Sequence, residues 1–395
     1  MLKFRVRIVI AISFLQVTQN LAFAQVPGLP ADSLSYAWYL QSNWDSLITY
    51  RDELLEASGS DYYYLRYRIA EAFYMKGDFH RSANEFRKAV KLNTADTFAL
   101  KRLAGSLFFT GRWQELSKAE RRLENLGAFV YHSGRKALTG ISAEGAYRFS
   151  DSPDIGNLTY LSAGGSFSPA GGFGLTALAQ DVKQTYYYGD IHQQNVYASV
   201  SGSWLSGLTA FATGNLIRAT FKPVEVGALT RYFDYQTVSG GFSFRRNHWQ
   251  IENELAFSNF GYESNLQNTA GVTWFPHGDN RLQLGVAAII KFSDTESGYV
   301  IKPNITTRIA QRLYWSMQGY SGNVTNVLEN RSSLLNNTPD LIKYRIQTGF
   351  YWYPLDYLIF FVFANYEKRN EAYADIPYSL KGIVFGLRLL PLSLR

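Results

Sequence analysis

The sequence predicts an α+β chain in two parts, a short α-helical array followed by a transmembrane antiparallel β-barrel of about 14 strands, within a range of roughly 12–16. Three observations carry this. Hydrophobic periodicity is helical up to Leu126 and changes to a period of two from Leu138 onward. The period-two segments are each long enough for the roughly 9–11 residues that a tilted strand needs to cross a bilayer. Tyr 28 and Phe 27 far outnumber Met 3, an aromatic surplus suited to strands that face lipid and the membrane interface.

The clearest sample is the pair of arms from Leu341 to Tyr353 and from Leu355 to Tyr366, which meet at Pro354. In the first arm Ile342, Tyr344, Ile346, Thr348, Phe350 and Trp352 alternate with Lys343, Arg345, Gln347, Gly349 and Tyr351. One face suits lipid and the other water. The second arm is apolar on both faces around Leu358 to Phe363, but it is far shorter than the roughly 20 apolar residues of a membrane helix. It reads as a strand.

The N-terminus carries Lys3, Arg5 and Arg7, an apolar run from Ile8 to Leu15, and Ala22-Phe23-Ala24 before Gln25. This is the pattern of a signal peptide over residues 1–24, so export is expected. The formal charge of +7 drops to +4 without those three cations. With no basic run, that excess gives no footing for nucleic-acid binding. Cysteine is absent, which excludes disulfides, thiolate metal sites and a lipidated N-terminal Cys.

Residues 31–126 repeat with a period near about 34 residues. Ile69, Ala70, Phe73, Gly77, Asp78, Phe79, Phe86 and Ala89 form one copy; Leu103, Ala104, Leu107, Gly111 and Trp113 keep the same offsets in a weaker one. Small residues at Ala70 and Ala89 let two helices approach, Gly77 makes the turn, and aromatic residues such as Trp113 wedge between neighbouring pairs. Trp38 and Trp44 belong to a degraded hairpin before them. These offsets resemble the tetratricopeptide repeat, departing from it at Ser82 and Thr94. The resemblance implies a surface that binds a peptide or protein; the alternative is a plain helical spacer.

After a linker over 127–137, residues 138–395 read as the barrel. Its strands fall near 138–149, 157–168, 173–187, 191–204, 207–221, 232–246, 248–262, 264–276, 280–293, 297–309, 312–322, 340–354, 355–367 and 379–391. Every second link is tight, at Ser206-Gly207, Arg246-Asn247, His277-Gly278-Asp279, Gln311 and Pro354, while alternate links are longer, up to Asn323–Pro339. Trp204, Trp249, Trp274, Trp315 and Trp352 lie near the tight-turn ends. Tyr186, Tyr187, Tyr188, Tyr232, Tyr262, Tyr299, Tyr320, Tyr344 and Tyr366 lie toward the other ends. Two aromatic girdles at two interfaces explain that sorting, and a secreted β-sandwich does not. The tight turns are expected in the periplasm, with the helices, and the loop Asn323–Pro339 outside.

Lys291, Lys302, Arg308, Lys343, Arg345 and Arg388 fall on polar faces of late strands, and Glu144, Glu252 and Glu254 on earlier ones. Lumen charges either steer an anionic solute or pair across the lumen and fill it. Glu144 and Arg388 become neighbours if the first and last strands close the barrel. The apolar Val327, Leu328, Leu334 and Leu335 make the longest loop the expected plug. The five histidines, His80, His132, His192, His248 and His277, are scattered, so neither a metal site nor a cofactor is expected. Only His192, with Ser199 or Ser201 on its strand, could serve a barrel enzyme, and the pattern is read as non-enzymatic.

Signal peptide, helical repeats with Gly77, Asp78, Phe79, Phe86 and Ala89 at their offsets, and a C-terminal barrel together resemble the outer-membrane exopolysaccharide secretins. The order resembles still more the YaiO-type outer-membrane barrel family. That resemblance implies a Gram-negative outer membrane, periplasmic helices with a protein partner, and association with polysaccharide export. A conduit or assembly component is the expected role, with a lipid- or glycan-modifying barrel enzyme or a poreless structural or adhesive barrel as alternatives.

Overall fold

The computed structural model describes residues 31–59, 61–128, 138–168, 172–224, 229–259, 263–293, 297–323, 325, 327–329, 331, 334–335, 340–355, 358–370 and 376–390. The expected signal peptide, His132 and most of the linker lie outside them.

Among the described residues seven helices come first: α1 (Ala31–Leu40), α2 (Trp44–Thr49), α3 (Arg51–Ala57), α4 (Tyr63–Met75), α5 (Phe79–Leu92), α6 (Thr97–Phe109) and α7 (Trp113–Asn125). Helices α4/α5 and α6/α7 form two hairpins. Each turns on a glycine with positive φ, Gly77 at 77° and Gly111 at 65°. Asp78 caps α5 by accepting from the Arg81 amide at 3.1 Å, and Asp96 caps α6 through the Phe98 and Ala99 amides. Ala70, Ala83, Phe86, Leu100, Leu103, Leu107, Leu116 and Ala119 interlock as one core. The departure at Ser82 has a physical reason: its buried hydroxyl bonds the Ala70 carbonyl at 3.1 Å and meets Ser106 Oγ at 3.0 Å, tying three helices together. Trp113, expected as a buried wedge, is instead 53% exposed and packs edge-on against Phe108.

Fourteen strands then close into one antiparallel barrel: β1 (Leu138–Ser150), β2 (Ile155–Phe167), β3 (Phe173–Tyr186), β4 (Gly189–Ser203), β5 (Leu208–Pro223), β6 (Arg231–Arg246), β7 (Trp249–Asn259), β8 (Ser264–Trp274), β9 (Leu282–Ser293), β10 (Ser297–Ala310), β11 (Leu313–Gly322), β14 (Leu341–Leu355), β15 (Leu358–Asn370) and β16 (Pro377–Leu389). Strand β16 pairs with β1, with Ser142 opposite Arg388. Among the described residues two further short strands, β12 (Leu328–Glu329) and β13 (Leu334–Leu335), pair with each other within the longest loop. Alternation supplies the two surfaces: Val196, Leu216, Val238, Leu255 and Phe257 are exposed on the outer wall, while Asn195, Asn215, Thr237 and Glu254 are buried inside.

Several details differ from the expectation. The last tight turn falls after Leu355 rather than at Pro354, because the β14/β15 register shifts between Trp352 and Leu355 and leaves Pro354 where no ladder donor is needed. A second shift between Ile342 and Tyr344 changes the phase of β14. Ile342 is therefore buried beside Ile289, Val300 and Tyr320, and Lys343 is exposed. The Trp belt holds, with Trp204, Trp249 and Trp352 exposed on the outer wall, and so do Tyr187, Tyr232 and Tyr299 at the opposite end. Tyr186 and Tyr320 turn inward and are buried. Loop lengths are less sorted than the sequence suggested, since only Tyr187 and Tyr188 separate β3 from β4.

The helices pack against the tight-turn end. The His80 amide donates to the Gly278 carbonyl at 2.9 Å, Asp78 meets His248 Nε2 at 2.9 Å, and Asn84 donates to Asn247 at 3.1 Å. Arg245 donates to the Thr110 carbonyl at 3.0 Å, and Gln114 reaches Ser201 at 2.7 Å and also Ser203. Ser201, Ser203 and Arg245 share the inward phase of their strands, so the α6/α7 tip enters the mouth of the lumen. Gly278 permits the approach: its φ is 69°, and a Cβ there would fall 2.1 Å from Asp78 Oδ1.

Candidate functional site in the barrel lumen

The loop between β11 and β14 folds back into the barrel. Its neck is tied to β10 by the Asn323 side chain, which accepts from the Tyr299 amide at 3.0 Å. Val327 then packs with Ile289, Val300, Tyr320 and Ile342, and Leu328 with Ile217, Ala219, Tyr235 and Ala256. These apolar patches sit on different strands of the inner wall, so two adjacent loop residues bridge the lumen. Gln267 fixes the bridge in both directions: its amide donates to the Leu328 carbonyl at 2.7 Å and accepts from the Leu328 amide at 3.0 Å. A side chain that mimics a strand partner in this way gives the loop one register.

Glu329 follows, 4% exposed, and supplies the charge. Lys302 donates to one of its oxygens and Arg345 Nη2 donates to the other at 2.5 Å. Arg345 continues to Glu367 at 3.5 Å, which also accepts from Arg148 at 2.8 Å and from Arg369 at 2.6 Å. Four cations thus converge on two carboxylates, a network that holds because each member has charged partners. Lys291 joins the loop separately, donating to the Thr325 carbonyl at 3.2 Å with Glu263 at 3.7 Å. At the loop's far end the Tyr378 hydroxyl donates to Asp340 at 2.5 Å.

The nine charges singled out from the sequence therefore divide. Lys291, Lys302 and Arg345 come together around the loop, each held by a carboxylate. Arg308 lies exposed near the tight-turn end, Lys343 is displaced by its bulge, and Arg388 is exposed at the rim. Glu144 and Arg388 do lie on the paired closing strands, with Glu144 opposite Gly386, but among the described residues no ion pair joins them. Glu254 accepts from Ser239 at 2.7 Å, and Glu252 accepts from Gln250 at 2.5 Å and lies 3.9 Å from Arg331. Lys302, Glu252, Glu254, Glu329, Arg331 and Phe211 line a cavity of about 370 Å³ beneath the loop.

Sequence reasoning missed Glu329, Glu367, Arg369, Arg148 and Gln267. One signal was available: Glu329 directly follows the apolar pair Val327-Leu328 in the loop expected to enter a basic lumen. His192 pairs with Asp181 at 2.5 Å, and both lie on the outer face of their strands, whereas Ser199 and Ser201 point inward. No His-Ser pair forms there.

A closed antiparallel barrel with an apolar outer wall, aromatic belts and a polar, loop-filled lumen defines an outer-membrane β-barrel. No family model matches the chain, and no curated protein matches it. Among solved structures it is similar to the Acinetobacter baumannii outer membrane protein Omp33, at 10% identity and a TM-score of 0.39 over 65% of this chain and 99% of that one. It is also similar to the Ralstonia pickettii toluene transporter TbuX, at 7% identity and a TM-score of 0.46 over 65% of this chain and 90% of that one. A bacterial polysaccharide outer membrane secretin matches at 9% identity and a TM-score of 0.39, over 65% of this chain and 99% of that one. At such identities and TM-scores the likeness carries no argument about a solute or a role.

Proposed function

We propose that the chain is a gated outer-membrane conduit that serves polysaccharide export, with its helices in the periplasm engaging a protein partner of that machinery. The observation that carries the gated reading is the segment Val327-Leu328-Glu329, which crosses the lumen and is held by Lys302, Arg345 and Gln267. A barrel of this size lies between eight-stranded barrels filled by side chains and porins of roughly 16–18 strands with an aqueous channel, so what folds inward decides patency. Neutral hydrogen-bonding side chains, including Gln180, Gln193, Asn195, Asn215 and Thr237, form much of the buried inner wall and suit an uncharged glycan. The repeat pattern of the helices, which resembles tetratricopeptide units, and the resemblance to the YaiO-type family support the export setting.

The charge argument changes with the loop in place. Lys302 and Arg345 both donate to Glu329, so with the loop in place neither is offered to a passing anion. Moving the loop out takes Glu329 with it and uncovers both cations. Bilayer conductance tests the reading: the intact chain should be nearly silent, and deletion of residues 324–338 should give steady channels. A deleted barrel that stays silent would overturn the conduit and leave a structural barrel without a pore.

A further inference from the structure

Where the α5 and α6/α7 tips enter the barrel mouth, two arginines of the helices share one carboxylate and a third arginine comes in from the barrel. Glu115 accepts from Arg87 Nη2 at 2.9 Å and from Arg112 Nε at 2.6 Å. Arg245, from the barrel side, places its guanidinium 4.6 Å from the Phe275 ring centroid. His80 packs on the same ring at a tilt of 41°, with centroids 4.6 Å apart. Arg87 and Arg112 are 8% exposed, Glu115 4% and His80 1%, so this charge is shut away from solvent. Arg87 Nε and both ring nitrogens of His80 are buried without a protein partner.

The imbalance is expensive. A guanidinium tolerates burial when a carboxylate or phosphate takes its donors, and here Arg87 and Arg112 share one carboxylate, Arg245 donates only to the neutral Gln250 side chain and the Thr110 carbonyl, and Arg87 Nε is left over. Burial and the neighbouring Arg112 pull Arg87 down to about 9, and burial with the surrounding arginines keeps His80 well below its usual value. In the lumen network at the other end of the barrel, by contrast, each of the four cations donates directly to Glu329 or Glu367. We infer that the junction of helices and barrel binds one small tetrahedral oxyanion, of the phosphate or sulfate class, against Arg87, Arg112, Arg245 and His80. Planar guanidinium donors are suited to oxyanions, and the low exposure limits the ligand to a small free ion. Bound there, the anion joins the helices to the barrel mouth, because its partners come from both.

The full-length protein in detergent tests this. Helix unfolding is followed by circular dichroism at 222 nm while potassium phosphate replaces potassium chloride at constant ionic strength. The midpoint should rise by several degrees and saturate with millimolar phosphate, with sulfate acting alike, because a ligand of the folded state stabilises by mass action. Arg87→Gln should abolish the response. Lys76→Gln, at an exposed pair with Asp45, should retain it and so separate binding from a general salt effect. Equal responses in both variants, or none in the natural protein, would overturn the site. Calorimetric titration of the natural protein with phosphate needs no variant to fold: one binding event per chain is expected, and absence of heat together with an unmoved midpoint would sink the inference.

Discussion

The two ends of the lumen are closed by different physics. At the long-loop end the obstruction brings its own counter-charge: Glu329 enters between Lys302 and Arg345, and two apolar residues fill the space beside it. At the tight-turn end the obstruction is a folded unit, the α6/α7 tip, with a buried excess of arginine. A short loop can leave without unpairing any strand of the barrel, whereas the helices must withdraw as a body with their core intact. On the proposed reading the long-loop end is the gate and the tight-turn end the dock.

Deleting residues 324–338 should change conductance most, because it removes the apolar bridge and Glu329 together. In that deleted form reversal potentials should show anion preference, since Lys302 and Arg345 are then uncovered. The double change Lys302→Glu with Arg345→Glu should reverse it. An unchanged preference would mean that the permeation path avoids β10 and β14. Glu329→Gln should come next. Breaking a buried ion pair by removing one partner costs about 3–5 kcal/mol. Since the bridge through Gln267 survives, brief openings rather than steady channels are expected in single-channel records.

A smaller effect is expected at the dock. Gly278→Val places a branched side chain where a Cβ would already fall 2.1 Å from Asp78 Oδ1. It should loosen the helices without unfolding them, read as faster protease cleavage between residues 128 and 138 while the 222 nm signal persists. Within the helices, Trp113→Asp should shift the midpoint by no more than a few degrees because Trp113 is half-exposed. Leu103→Asp, fully buried, should abolish helix folding. Equal damage from both would return Trp113 to the core.

The barrel was legible because its signal is periodic and repeated. Each strand needs only alternation and a minimum length, and all fourteen segments lie close to their observed positions. The errors fall where one residue breaks the count: the bulge at Lys343 is a local backbone event with no compositional mark, and Pro354 marks the shift before Leu355 without saying whether a turn or a bulge holds it. The lumen site was half-legible for a related reason. Cations on strands inherit a facing from the strand's phase, so Lys291, Lys302 and Arg345 could be picked out. Glu329 sits on a loop, where sequence gives no facing. Its partners are set by how that loop re-enters the barrel, a long-range event that no local pattern encodes. The docking of Asp78 on Gly278 and His248 is of the same kind.

The smallest effect contrasts two groups within the helical unit. Burial and the neighbouring Glu124 raise Glu120 on α7 to about 7, above its unfolded value of 4.5. A carboxyl raised on folding adds stability that is full below the unfolded value and is lost as pH rises through the folded one. Glu120 should therefore stabilise the helices as pH falls from about 7 toward 4.5. His80 acts in the opposite sense: burial, with Arg245, Arg112, His248 and Arg87 around it, depresses its basicity, so its contribution is present above 6.5 and fades as pH falls below that value. The helical midpoint should rise on mild acidification from pH 7.5 and turn over near pH 6. Glu120→Gln should remove the rise and leave the fall, moving the midpoint by a few degrees at most. A variant with the same rise as the natural protein would show that another carboxyl carries it.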